Sequence, residues 1–179
     1  MSQRAYLDYN ATAPLRPEAR AAALAAFEAA GNPSSVHAEG RAARMLVEGA
    51  RADVAALAGG VKPSRVVFTS GGTEAARMAF HAAKTAQGVE RLIVSAIEHD
   101  AVLASAGASG LPVDIAPVDT QGRLDLAGLQ ALLAPGGKTL VALMLANNET
   151  GILQPVAEAA ALVHDAGALL LCDGVQAVG

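Results

Sequence analysis

Tryptophan is absent and cysteine occurs once, as Cys172. A single thiol rules out an internal disulfide and makes a reducing, cytoplasmic setting the default. Aromatic residues make up only 3% of the 179 residues, so packing is expected to rest on Val, Leu and Ile. No cluster of Lys or Arg occurs and the net charge is -4, which argues against nucleic acid as the main partner. The longest apolar runs are broken by charges or glycines and fall short of a membrane span. The opening residues MSQRAYLDYN contain no apolar segment of the kind that marks a secretion signal. Internal repeats and low-complexity linkers are also missing.

What remains is rich in apolar residues, at 53%, which excludes a disordered chain. Alanine supplies roughly a quarter of the residues; it favours helix and is expected to add little to a core. Short β-prone runs lie at Arg65–Thr69, Arg91–Ala96, Val113–Val118, Thr139–Ala146 and Ala168–Cys172. Helix-like stretches lie at Pro17–Ala30, Gly40–Leu57, Thr73–Thr85, Ala101–Ala108, Leu124–Leu133 and Val156–Ala166. The β-prone runs are apolar throughout rather than alternating, as strands buried on both faces are. Strands separated by helices predict an α/β fold: a mainly parallel sheet with helices on both faces. Ala5–Pro14 reads as an extended arm, and Gly31-Asn32-Pro33-Ser34-Ser35 as a connecting loop. The last run has the pattern of a buried central strand, so more chain is expected to complete the sheet.

In such sheets ligands bind beyond the carboxyl ends of the strands. Four of the runs are followed by polar clusters: Thr69-Ser70-Gly71-Gly72-Thr73-Glu74, Glu98-His99-Asp100, Asn147-Asn148-Glu149-Thr150-Gly151, and Asp173 with Gln176. Gly71-Gly72-Thr73 before a helix offers backbone N–H groups and a positive dipole end to an anion, so a phosphate fits there. Thr73 either caps that helix or gives its hydroxyl to the phosphate. The spacing matches neither a Walker A loop nor the dinucleotide fingerprint. Asp173 either faces a cation or caps a following helix. His99 either stacks on a ring and moves protons or caps a helix. Asn148 and Gln176 either donate amide N–H groups to a ligand oxygen or tie down their own loops. Cys172, at the end of an apolar strand and beside an acid, reads as an inert core thiol.

The chain resembles the cysteine desulfurases within the class V aminotransferase-fold enzymes. The resemblance rests on Tyr6–Pro14, Gly31–His37, Phe68–Ala75, Glu98–Leu103, Asn147–Gly151 and Asp173–Gly179, in family order along the whole chain. It implies the large domain of a fold-type I pyridoxal-phosphate enzyme, with residues 1–15 as an N-terminal arm and 16–179 as the first part of that domain. It further implies that Gly72 and Thr73 hold the phosphate of pyridoxal 5'-phosphate and that His99 stacks over the ring and assists proton transfer. Asn148 and Gln176 would reach the phenolic oxygen, and Asp173 would pair with the ring nitrogen. No metal is implied. The implied reaction takes sulfur from L-cysteine as an enzyme persulfide and leaves L-alanine, for iron–sulfur cluster assembly or thiolation. A sulfur-acceptor protein and a homodimer come with the family. The family's cofactor-anchoring lysine, in a Ser-x-His-Lys segment, its nucleophilic cysteine and its carboxylate-binding arginine have no counterpart in these residues, so the 179 residues alone are expected to be inactive. Selenocysteine lyases and class V transaminases share the fold, and a non-catalytic remnant is a further alternative.

Overall fold

The computed structural model describes residues 5–29 and 31–178. The first four residues of the expected arm, Ala30 at the end of the first predicted helix, and Gly179 lie outside the described residues. The chain divides into two compact units, 1–68 with 178–179 and 69–177. The division falls inside the predicted strand Arg65–Thr69.

The first unit is helical. Residues 5–16 form neither helix nor strand, and a turn at 9–11 interrupts the expected extended arm. The Tyr6 hydroxyl lies 2.6 Å from the Asp8 carbonyl oxygen and 3.0 Å from that of Thr12, and the Tyr6 and Tyr9 rings stack at 5.8 Å. Helix α1 (Pro17–Glu28) opens on a proline at its first position, where the missing N–H is no loss. Helix α2 (Ala38–Leu57) starts two residues earlier than predicted, because His37 caps it: its Nδ1 accepts from the Gly40 N–H at 3.3 Å. The loop before it is a connection. The Asn32 side chain accepts from the Ser34 N–H at 2.9 Å, and the chain passes so close to α2 that a Cβ on Gly40 would lie 2.4 Å from the Ser35 carbonyl oxygen.

Arg65–Thr69 is not a strand. A short 3-10 helix occupies Pro63–Arg65, and the residues after it pair with no strand among the described residues. β propensity is a preference for a pleated, half-buried surface. Without a neighbouring strand, Val67 stays 65% exposed and Phe68 48% exposed. Arg51 covers part of this segment, donating to the Val66 carbonyl and placing its guanidinium 5.1 Å from the Phe68 ring centre.

The second unit holds the sheet. Its strands are β1 (Arg91–Ser95), β2 (Val113–Ala116), β3 (Thr139–Met144) and β4 (Leu169–Asp173), all parallel in the order β2-β1-β3-β4. Helices α3 (Gly72–Ala86), α4 (Asp100–Gly107), α5 (Leu126–Leu133) and α6 (Val156–Asp165) cover both faces, as the alternation of elements predicts. The period of two in a strand sorts the side chains. Leu92, Val94, Leu140 and Ala142 meet α3 and α4 through Ala76, Phe80, Ala83, Val102 and Ala106. Ile93, Val141 and Leu143 meet α5 and α6 through Leu129, Leu133, Ala159 and Val163. Two-sided burial holds for β1 and β3 only; Leu169 on the edge strand β4 is 40% exposed. Alanine does more than expected, since Ala76, Ala83, Ala106, Ala142 and Ala159 are contact residues of the core.

One buried side chain ties the loop after β2 to the end of β3. Gln154 accepts from the Leu124 N–H at 2.8 Å, donates to the Gly122 carbonyl at 2.9 Å, and its backbone N–H meets the Leu145 carbonyl at 2.9 Å. Gln154→Ala is expected to lower unfolding free energy by about 2 kcal/mol, from the buried backbone groups it strands. Gly40→Ala is expected to lower it by roughly 1–3 kcal/mol, because backbone oxygens fill the space the methyl needs. Urea denaturation of each variant measures both; a cost near zero for either contradicts the packing described.

Candidate functional site

All the residues singled out at strand ends belong to the second unit. The loop Thr69–Gly71 turns into α3 at Gly71, which is the N-cap and has no side chain to satisfy the helix's first N–H groups. Thr73 therefore lies inside the first turn and is not the cap. Glu74 reaches back to accept from the Ser70 N–H at 2.5 Å, and this bond holds its carboxyl below the usual range. A Cβ placed on Gly71 or Gly72 would meet no atom within 4 Å, so the space in front of these peptides is open. Helix α3 leads into β1 through a short turn, and its N-terminus consequently stands at the carboxyl end of the strands.

His99 follows β1 and caps α4, its Nδ1 accepting from the Ala101 N–H at 3.1 Å. An imidazole that accepts through Nδ1 carries its proton on Nε2. The capping alternative is thus realised, and Nε2 is the nitrogen left to act on a ligand. After β3, Asn147 rather than Asn148 ties the turn together. Its Oδ1 accepts from the N–H groups of Glu149 and Thr150, at 3.0 and 2.9 Å, and its Nδ2 donates to the Ile97 carbonyl at 3.2 Å. Asn148 is half-buried and donates to the Glu149 carboxylate at 2.7 Å.

Asp173 is the last residue of β4, in register with Met144. Its Oδ1 accepts from the Val175 N–H at 3.0 Å and shapes the turn that carries Gln176; no helix follows among the described residues. Within the described residues, Asp173 thus serves a turn. Cys172 is exposed, which corrects the expectation of a core thiol: β4 is an edge strand, and its side chain has no layer over it. Its thiol is nonetheless pushed up, by partial desolvation first and then by the neighbouring acids Asp173 and Glu98, as the acid beside it predicts. Among the described residues no group of three His, Cys, Asp or Glu side chains is arranged to hold a metal.

Sequence reasoning missed Glu98 as an individual residue. It is 6% exposed, and its Oε1 accepts from the Met144 N–H at 2.7 Å. Its Oε2 is buried with no partner among the described residues. Burial pushes this carboxyl up to about 7, the Met144 bond opposes the rise, and the charge of Asp173 adds to it. The available signal is an acid just beyond a largely apolar strand, next to Ala96 and Ile97, where water is scarce.

Comparison with known proteins gives the family and the fold. The cysteine desulfurase of Cereibacter sphaeroides is 48% identical over 183 residues, covering 99% of this chain and 47% of that protein. The cysteine desulfurase NifS of Azotobacter vinelandii is 41% identical, covering 97% of this chain and 44% of that protein. The chain therefore spans about half the length of the curated relatives it matches. The X-ray structure of a NifS-like protein from Rickettsia africae superposes with a TM-score of 0.86 at 33% identity, over 96% of this chain and 48% of that one. No helix of the described residues is long and apolar enough to cross a membrane. The family model for aminotransferase class-V matches residues 5–179, so the chain belongs to that family.

Proposed function

We propose that this chain forms the cofactor-holding part of a pyridoxal-phosphate-dependent cysteine desulfurase, which takes sulfur from L-cysteine and leaves L-alanine. The observation that carries the reading is the pairing, at one end of one sheet, of a helix start without a capping side chain and a strand-end carboxylate. The first suits a phosphate and the second a protonated ring nitrogen. The relatives at 41–48% identity are cysteine desulfurases, and the reaction proposed is theirs.

The residues present fit the cofactor. The space before Gly71 and Gly72 is open, and the N–H groups of Gly72 and Thr73 are those a phosphate would take, with the Thr73 hydroxyl beside them. Asp173 would hold the proton on the ring nitrogen while its other oxygen keeps the Val175 N–H. Bound pyridoxal phosphate supplies an electron sink for bond changes at the substrate's α-carbon. His99, fixed by its cap to α4, would stack on the ring and hold a proton at Nε2. Asn148 and Gln176 would donate to the ring's phenolic oxygen. The sulfur-accepting thiol is not Cys172, whose surroundings disfavour the thiolate that such chemistry needs. A sulfur-acceptor protein and a homodimer belong to the same proposal.

Thr73→Ala is expected to weaken pyridoxal phosphate binding at least about tenfold, on the scale of one hydrogen bond to a charged group. Binding of pyridoxal, which lacks the phosphate, stays unchanged. Fluorescence titration with both compounds tests this, and an equal effect on the two removes the phosphate assignment. The 179 residues by themselves are expected to form no alanine from L-cysteine above the rate given by free pyridoxal phosphate. Alanine formed faster than that would show that these residues suffice.

A further inference from the structure

Two carboxyl groups at the end of the sheet lie near enough for their charges to interact, and only one has an evident task. Glu98 follows β1 and lies 94% out of solvent, taking the complement of its 6% exposure. Its Oε1 holds the Met144 N–H at 2.7 Å, and Met144 is the register partner of Asp173. The next peptide continues the connection, since the Leu145 N–H meets the Asp173 carbonyl at 2.8 Å. Glu98 thus joins the ends of β1, β3 and β4 through one side chain and the β3 backbone. Its second oxygen is buried with no donor among the described residues. A carboxylate in that position forgoes hydration on one oxygen; a carboxylic acid has a carbonyl for Met144 and an O–H on the other. The titratable groups that interact with it are Asp173 and Cys172, both on β4, and among the described residues no cation forms an ion pair with it.

We propose that Glu98 is a positioning residue of the cofactor site: its Oε1 fixes the peptide in register with Asp173, and its buried Oε2 carries a proton, so that the two neighbouring carboxyl groups share one negative charge, held by Asp173. The arrangement follows from like charges disfavouring joint ionisation, and from the lower cost of charging the less buried member. Its meaning for the cofactor rests on the pyridoxal-phosphate reading above. The charge then stands on the group that meets the ring nitrogen, while the neutral partner keeps the strand ends aligned.

The test uses the whole chain with Glu98→Gln, Glu98→Leu and Asp173→Asn. Gln keeps the accepting oxygen and removes the charge; Leu removes both. The folded state binds the Glu98 proton more tightly than the unfolded state, so stability falls as pH rises from 4.5 to about 7 and then levels. Urea midpoints without cofactor are expected to show this step in the parent chain and its loss in Glu98→Gln. In Asp173→Asn the step moves to lower pH, because the neighbouring charge is gone. Pyridoxal phosphate is expected to bind Glu98→Leu at least about tenfold more weakly than the parent, with Glu98→Gln restoring most of the loss. The proposal falls if Glu98→Gln keeps the parent's pH step, if Asp173→Asn leaves it in place, or if Gln and Leu weaken binding alike. A parent chain that binds no pyridoxal phosphate sinks the cofactor reading, and the pH steps then decide the shared proton alone.

Discussion

The parallel pairing of β1 with β3 is the constraint on which the rest of the second unit depends. Arg91 lies opposite Thr139 and Val94 opposite Ala142, and the side chains between are buried on both faces. A shift of one residue would send Leu92 and Val94 to the α5–α6 side and Ile93 to the α3–α4 side, exchanging both cores at once. The register also fixes where the strands end. Glu98 and Asn147 each bond across to the neighbouring strand end, to the Met144 N–H and the Ile97 carbonyl, because β1 and β3 stop side by side. Asp173 joins them because β4 is paired from Leu169 opposite Leu140 onward.

The residues of the proposed site also shape backbone. His99 caps a helix through one ring nitrogen, Asp173 holds a turn through one oxygen, and Glu98 holds a strand end through one oxygen. In each case one polar atom is spent on a peptide N–H of the chain itself. The side chain is thereby fixed in one orientation before any ligand arrives, which lowers the ordering cost of binding.

Much of this was legible in the sequence, for physical reasons that differ by element. The runs Arg91–Ala96, Thr139–Ala146 and Ala168–Cys172 read as strands because their inner residues are almost all apolar, and the structure pairs all three. The run at Arg65 has the same local character, yet it forms no strand, because pairing is a property of two segments and one was in view. The start of α2 was misjudged because a histidine cap resembles any other loop residue in sequence. The polar clusters at the strand ends were visible as clusters. Within them, burial separated the roles: Asn147 took the structural task, and Glu98 became the unusual acid. Neither distinction can be made from residue type.

The alanines of the core set the chain's tolerance to change. Ala76, Ala83, Ala106, Ala142 and Ala159 fill core contacts with a single methyl group each. An alanine has no methylene to lose, so drift at these positions runs toward larger side chains and excess volume instead of cavities. Genetic variation in such a domain would be filtered mainly at its smallest residues, and its permissive positions would be the large aliphatic ones, where a neighbouring size still packs.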